Sequence, residues 1–251
     1  MAERWLGRTR GIASLALVLL RVPLWLCHRP SSPKARQHER AAFATIARGF
    51  GIRIETSGSP SALPGTLFIM NHISWADVPV AMAILDADFV AKSDVAGWPV
   101  IGALARRFGP VFVARGQRQR SHDQADAIRS RLRAGRSVIL CPEGTTSDGA
   151  SILPFRTSLF AAADAASTLQ PIILRYLDPD GSAPASARMR ELAWIDDDSL
   201  LPGAMRVACK PSLALLEFLP PVTGTSDRKS LAQVVRQQML DAYAAAPNRP
   251  R

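Results

Sequence analysis

Two regimes of apolar and polar positions follow one another along the chain. The first opens on Gly11–Leu20 (GIASLALVLL), ten uncharged residues, then Arg21, then the apolar stretch Val22–Cys27. An apolar run broken by a charge and by Pro23 falls short of the roughly 20 residues that a spanning helix needs. Pro30 and Pro33 close the segment, and Ser32 stands where it can cap the next one. Between Pro33 and Gly51, the residues Phe43, Ile46, Ala47 and Phe50 recur at helical spacing among Arg36, Arg40 and Arg48. That pattern predicts an amphipathic helix ending near Gly49 or Gly51, lying on a membrane or packing on the first helix.

From residue 52 the pattern changes to short apolar runs separated by turns. The runs predict strands at Ile52–Thr56, Thr66–Met70, Asp88–Ala91, Val111–Ala114, Ser137–Leu140, Pro171–Tyr176 and Leu213–Leu219. Helical spacing appears at Trp75–Leu85, Pro99–Phe108, His122–Ala134, Ser158–Ala166 and Ser226–Ala244. Strands alternating with helices of that length predict an α/β fold, a mixed and partly parallel sheet flanked by helices. The stretch Leu177–Met205, rich in Asp, Pro, Gly and Ser, reads as a long excursion without assigned elements. The organisation expected is a membrane-associating helical segment over residues 1–51 and an α/β domain over residues 52–251.

Composition narrows the chemistry. Hydrophobic residues make up 47% of the 251 and charged residues 21%, too apolar for a disordered chain. Three cysteines without a C-x-x-C pair argue against a disulfide scaffold or a cysteine zinc site, and favour a reducing compartment. Four histidines without H-E-x-x-H argue against a histidine metal site, so no metal is expected. The net charge of +10 is concentrated in two patches. Residues 1–60 hold ten Lys/Arg against three acids, and residues 104–136 hold nine Arg against two Asp. Such patches imply an anionic partner, nucleic acid or phospholipid headgroups. The first patch adjoins the most apolar run, which favours lipid.

For that run several readings compete. A signal peptide suits the basic start and short apolar core, but no small-x-small cleavage site follows. Bulky Leu26 disfavours Cys27 as a lipid-modified cysteine. A buried core helix suits the length. The arginines fit best a helix dipping into one leaflet from the cytoplasmic face, with Trp5 and Trp25 as interfacial anchors.

Candidate chemistry follows two strand ends. Thr66–Met70 leads into Asn71-His72-Ile73-Ser74-Trp75-Ala76-Asp77. Asp77 can accept a hydrogen bond from Nδ1 of His72, leaving Nε2 to take a proton; a structural histidine capping a helix is the plainer alternative. Ser137–Leu140 leads into Cys141-Pro142-Glu143-Gly144-Thr145-Thr146-Ser147-Asp148-Gly149, which a ligand can approach closely or which is a plain polar turn. It is no P-loop, because Ala150 stands where lysine is required. No G-x-S-x-G elbow is present.

Together these elements resemble the glycerolipid acyltransferase family that includes the 1-acylglycerol-3-phosphate acyltransferases. The resemblance is carried by N-H-x4-D (Asn71, His72, Asp77), by P-E-G-T (Pro142, Glu143, Gly144, Thr145), and by Ile152-Leu153-Pro154-Phe155 with Pro171-Ile172. A middle block contributes Lys92, Trp98, Gly102 and Arg115, and the whole spans roughly residues 65–175. The basic, apolar N-terminus is also similar to the family's membrane-associating two-helix segment.

The resemblance implies acyl transfer to a lysolipid hydroxyl, as in phospholipid biosynthesis. His72 would be the general base and Asp77 its orienting carboxylate. Asn71, Lys92, Arg115, Glu143, Gly144, Thr145 and Thr146 would serve substrate binding, with Lys92 and Arg115 on the anionic headgroup. The implied co-substrate is acyl-acyl carrier protein or acyl-coenzyme A, with no cofactor. The implied partners are an anionic membrane surface, the lysolipid and the carrier protein or coenzyme A thioester, with no nucleic acid. The implied location is the cytoplasmic face of the inner (cell) membrane.

One departure bears on the acceptor. Many family members read E-G-T-R, and this chain has Thr146 in place of the arginine. Together with Phe89–Pro99, that makes it look like the lyso-ornithine lipid acyltransferase branch. The acceptor expected is 1-acyl-sn-glycerol-3-phosphate, with lyso-ornithine lipid a close second. The rival classes are a lipid ester or thioester hydrolase, told apart by release of free fatty acid, and a non-catalytic membrane or nucleic-acid binder. The latter leaves both motifs unexplained and, at 6% aromatic residues, lacks a stacking platform.

Overall fold

The computed structural model describes residues 2–92, 111–113, 118–195, 198–222, 227–245 and 247. Its seven strands are β1 (Ile52–Ser57), β2 (Thr66–Met70), β3 (Ala87–Lys92), β4 (Val111–Val113), β5 (Ser137–Leu140), β6 (Thr168–Leu177) and β7 (Ser212–Phe218). They form one sheet in the order β1-β7-β6-β2-β5-β3-β4. Every pairing is parallel except β6 with β7. The sheet is therefore mixed and mostly parallel, with a strand at each of the seven predicted runs and shifted ends at several of them; Ala114, the expected end of the fourth, lies outside the described residues.

β2 is buried on both faces, and its side chains divide by parity. Leu67 and Ile69 join Ile128, Leu132, Val235 and Met239 on one side; Phe68 and Met70 join Val80, Leu174 and Leu216 on the other. The first side is covered by α4 (Arg118–Arg133), a 3-10 helix at Thr157–Ala165 and α7 (Arg228–Ala244). The second is covered by α2 (Pro33–Gly49), α3 (Asp77–Ile84), α5 (Ser186–Leu192) and α6 (Leu200–Val207). The helix expected at Ser158–Ala166 is a 3-10 helix over Thr157–Ala165. The excursion after β6, to which the sequence assigns no elements, contains the two short helices α5 and α6. The helix expected at Pro99–Phe108 lies outside the described residues.

β6 also begins upstream of the expected Pro171. Proline is tolerated there because β7 has ended at Phe218, opposite Ile172, so no β7 residue pairs with it.

The first helix, α1, runs unbroken over Ala2–Leu26 with Pro23 in its last stretch. Arg21 and Pro23, expected to interrupt it, do not. Its 25 residues span about 37 Å at 1.5 Å per residue, so by length and composition it could cross a membrane. Only one stripe is buried: Gly7 lies against the backbone of Ala208, Gly11 against the Phe50 ring, and Ser14 against Gly49. Arg10 Nε donates to the Gly49 carbonyl at 3.0 Å. The remaining face exposes Trp5, Leu6, Ile12, Leu17, Leu19, Leu20, Leu24 and Leu26. A core helix would bury these leucines.

Of the two expected tryptophan anchors, Trp5 is 67% exposed but Trp25 only 5%. Trp25 packs inward and its Nε1 donates to Glu39 Oε1 at 3.3 Å, so it joins helices instead of anchoring at a lipid interface.

Ser32 caps α2, accepting from the Ala35 amide at 3.3 Å. The helix packs both on α1 and on the α/β core, through Phe43, Ile46, Ala47 and Phe50. Arg36, expected on its polar face, is instead buried. It sits 2.8 Å from Asp88 Oδ1 and 3.1 Å from Glu39 Oε2. Arg136 reaches the same Asp88 oxygen at 3.1 Å, so the cluster ties α2 to β3. Burial, partly offset by Arg36, pushes the Glu39 carboxyl above its usual range.

Candidate active site

β2 and β5 are parallel neighbours with Ile69 opposite Leu140. The segments Asn71–Asp77 and Cys141–Gly149 therefore leave the sheet side by side at its carboxyl edge, where α/β folds place ligands. β6 runs parallel to β2 with Met70 opposite Ile172, then continues to Leu177. Its extra length walls the first segment.

Asn71 is spent on that wall. Its side chain accepts from the Leu174 amide at 2.7 Å and donates to the Leu174 carbonyl at 2.9 Å. Buried and doubly bonded, it replaces the ladder where β2 has ended, and so positions His72 instead of reaching outward.

Asp77 opens α3 and is fully buried with four donors on its carboxylate. Oδ2 accepts from His72 Nδ1 at 2.7 Å, from the Ile73 amide at 2.7 Å and from the Ser74 amide at 3.0 Å. Oδ1 accepts from Tyr176 Oη at 2.8 Å. Burial, followed by the nearby Asp77 charge, pushes the Tyr176 phenol well above its usual range, so it stays a donor. With Nδ1–H given to the carboxylate, the free lone pair of His72 sits on Nε2. Side-chain exposure is 22% for His72 and 0% for Asp77, so only the histidine of the pair is open to a reactant.

The second segment is stitched to the first. The His72 amide donates to Glu143 Oε1 at 3.2 Å, and the Ser147 amide to the His72 carbonyl at 2.8 Å. Glu143 is buried, and its Oε2 has no partner among the described residues. Burial raises its pKa from 4.5 to about 8, against backbone hydrogen bonds from His72 and Leu153 that lower it. The carboxyl is therefore mostly protonated at neutral pH. Cys141 is not a nucleophile candidate, because burial and then the charges of Asp77 and Glu143 hold its thiol well above its usual range.

The excursion after β6 closes a third side. The Trp194 amide donates to the Ile73 carbonyl at 2.9 Å, and the Thr146 hydroxyl donates to the Trp194 carbonyl. Thr146 thus latches the excursion to the loop and does not offer a free hydroxyl. Thr145 is exposed, and Gly144 has a left-handed backbone at φ 68°. Lys92 closes β3 opposite Val113 of β4; its side chain lies outside the described residues, as do Trp98, Gly102 and Arg115.

Sequence reasoning missed Tyr176, Trp194 and Arg156. Tyr176 is 99 residues from the carboxylate it binds and looks like an ordinary strand residue. Arg156 follows a quoted motif directly but had no spacing to mark it.

The fold and site define an α/β protein with a carboxylate-oriented histidine at the carboxyl edge of a mostly parallel sheet. The chain belongs to the acyltransferase family, whose model, described as "Acyltransferase", matches residues 53–175. It is 36% identical to a lyso-ornithine lipid O-acyltransferase of Brucella abortus over 77% of each chain. It is 32% identical to a 1-acyl-sn-glycerol-3-phosphate acyltransferase of Neisseria gonorrhoeae over 61% of each. In fold it matches the 1-acyl-sn-glycerophosphate acyltransferase of Thermotoga maritima at a TM-score of 0.64, 21% identity and 98% coverage of both chains.

Proposed function

We propose that this protein is a lysolipid O-acyltransferase acting at the cytoplasmic face of the cell membrane. The observation that carries the reading is the pair of His72 and Asp77, with Nε2 free and the histidine alone exposed. Nε2 removes the proton from a lysolipid hydroxyl as its oxygen attacks the thioester carbonyl of acyl-acyl carrier protein or acyl-coenzyme A. Asp77 stabilises the imidazolium that forms. The tetrahedral intermediate collapses with cleavage of the C–S bond, and the imidazolium returns its proton to the leaving sulfur. The products are a diacylated lipid and a free thiol, and the thioester is the only co-reactant.

Two observations support lyso-ornithine lipid as the acceptor. The relative named for that acceptor aligns over more of the chain, and the Thr146 hydroxyl is occupied by Trp194. The second reading, 1-acyl-sn-glycerol-3-phosphate, rests on Lys92 and Arg115, which the family resemblance assigns to an anionic headgroup. α1 supports a monotopic attachment. Its Gly7 end touches Ala208 and its Trp25 end touches Glu39, so a helix fastened at both ends lies along the protein. Its exposed leucines suit a leaflet surface.

The test is a panel of lysolipids with labelled acyl thioesters of carrier protein and of coenzyme A, read by thin-layer chromatography. Transfer to a lysolipid is expected, with His72→Ala lowering the rate about 10²- to 10⁴-fold while the fold persists. Release of free fatty acid with no acylated lipid would replace the reading by a hydrolase.

A further inference from the structure

Beyond which lipid is acylated lies the question of which charge holds it. Besides Lys92 and Arg115, which the resemblance assigns to the headgroup, an acceptor that carries a carboxylate or a phosphate monoester calls for a cation at the P-E-G-T turn, and Thr146 supplies none. Near the P-E-G-T turn two arginines are described. Arg236 is committed, donating to the Ile152 carbonyl at 2.9 Å and the Leu153 carbonyl at 3.0 Å. Arg156 is exposed, and its guanidinium has no hydrogen-bond or ion-pair partner among the described residues.

Its placement is nevertheless fixed. The Arg156 amide donates to the Pro142 carbonyl at 2.8 Å, which pins its backbone beside the turn. The side chain then lies across Gly144: a Cβ built there would fall 2.5 Å from Nε and 2.8 Å from both Cδ and Cζ. Gly144 has φ 68°, so a side chain there is disfavoured by its backbone as well as by Arg156. The neighbouring Glu143 accepts from the His72 amide, which places the Gly144 turn against the proposed base. An unpaired guanidinium held on the backbone of this turn is a built anion site.

Resting on the lysolipid reading above, we infer that Arg156 is a specificity-determining residue that binds the anionic headgroup of the acceptor, carboxylate or phosphate. A guanidinium takes either group through paired N–H donors. The anion bound belongs to the acceptor and not to the pantetheine phosphate of the donor.

The test compares wild type, Arg156→Gln and Arg156→Lys, with Arg228→Gln as a control at an exposed arginine of α7, outside both basic patches. Titration calorimetry in neutral detergent micelles measures binding of lyso-ornithine lipid, 1-acyl-sn-glycerol-3-phosphate and uncharged monoacylglycerol. Steady-state kinetics measure KM for acceptor and donor separately. Loss of one charged contact is expected to weaken binding of the anionic lysolipids roughly 10- to 100-fold. Monoacylglycerol binding and donor KM should stay unchanged, Arg156→Lys should recover part of the loss, and Arg228→Gln should match wild type. Unchanged binding of the anionic lysolipids in Arg156→Gln, an equal loss for monoacylglycerol, a shift in donor KM, or no binding by wild type overturns the inference. If wild type binds the anionic lysolipids through Arg156 but acylates none of them, the enzymatic reading fails and the inference stands.

Discussion

Tyr176 on β6 donates its hydroxyl to Oδ1 of Asp77, 2.8 Å away, and thereby fixes the carboxylate that orients His72. The carboxylate is thus held from two directions: the loop after β2 occupies Oδ2, and a strand that outlasts β2 occupies Oδ1.

Tyr176→Phe removes one of these supports without changing shape. The buried Oδ1 is left unpaired, which costs about 1–3 kcal/mol of stability. A urea unfolding curve should show that loss. Because His72 keeps its own bond to Oδ2, kcat should fall by roughly tenfold, well short of the effect of removing a general base. A fall as large as that of His72→Ala would mean that the phenol itself touches the reacting atoms.

Glu143 makes stability depend on pH. Its folded pKa of about 8 lies above its ordinary 4.5, so the folded state retains a proton that the unfolded chain has lost. Where the folded state binds more protons, stability declines as pH rises, here from about 4.5 to about 8, and this contribution is flat beyond. Glu143→Gln keeps an acceptor for the His72 amide and removes the titration. Melting temperature followed across that range should fall less steeply in the variant than in wild type; parallel curves would return Glu143 to an ordinary carboxylate.

Thr146 bears on selectivity through the latch to Trp194. Thr146→Val preserves volume but loses the hydroxyl, and should loosen the excursion, seen as faster hydrogen exchange at the Trp194 amide. Thr146→Arg cannot keep the latch, so it should lower turnover of phosphate and non-phosphate acceptors together. A selective gain for the phosphate acceptor would show that position 146 reads the headgroup directly.

Membrane attachment should reside in the exposed leucines of α1. Replacing Leu17, Leu20 and Leu24 by glutamine leaves the buried stripe of Gly7, Gly11 and Ser14 intact. Each buried leucine is worth about 1.5–3 kcal/mol, so the triple variant should lose most of its sedimentation with anionic vesicles. Tags at residues 1 and 251 should report the same side of the membrane; opposite sides would make α1 a spanning helix.

The sequence by itself determined the seven strands, because each is a short apolar run bounded by turn residues, and that signal is local. It also determined the juxtaposition of His72 and Asp77, five residues apart at a strand end where a helix begins. Long-range packing decided the rest. Whether Trp25 meets lipid or Glu39, and whether Arg36 faces solvent or Asp88, depends on how α2 docks on the sheet. Asn71 bonds Leu174 only because β6 outruns β2. Tyr176 reaches Asp77, and Thr146 reaches Trp194, across 99 and 48 residues of chain. Such partners leave no periodicity to read, since a hydrogen bond between distant segments exists only after strand order and register have brought their backbones together.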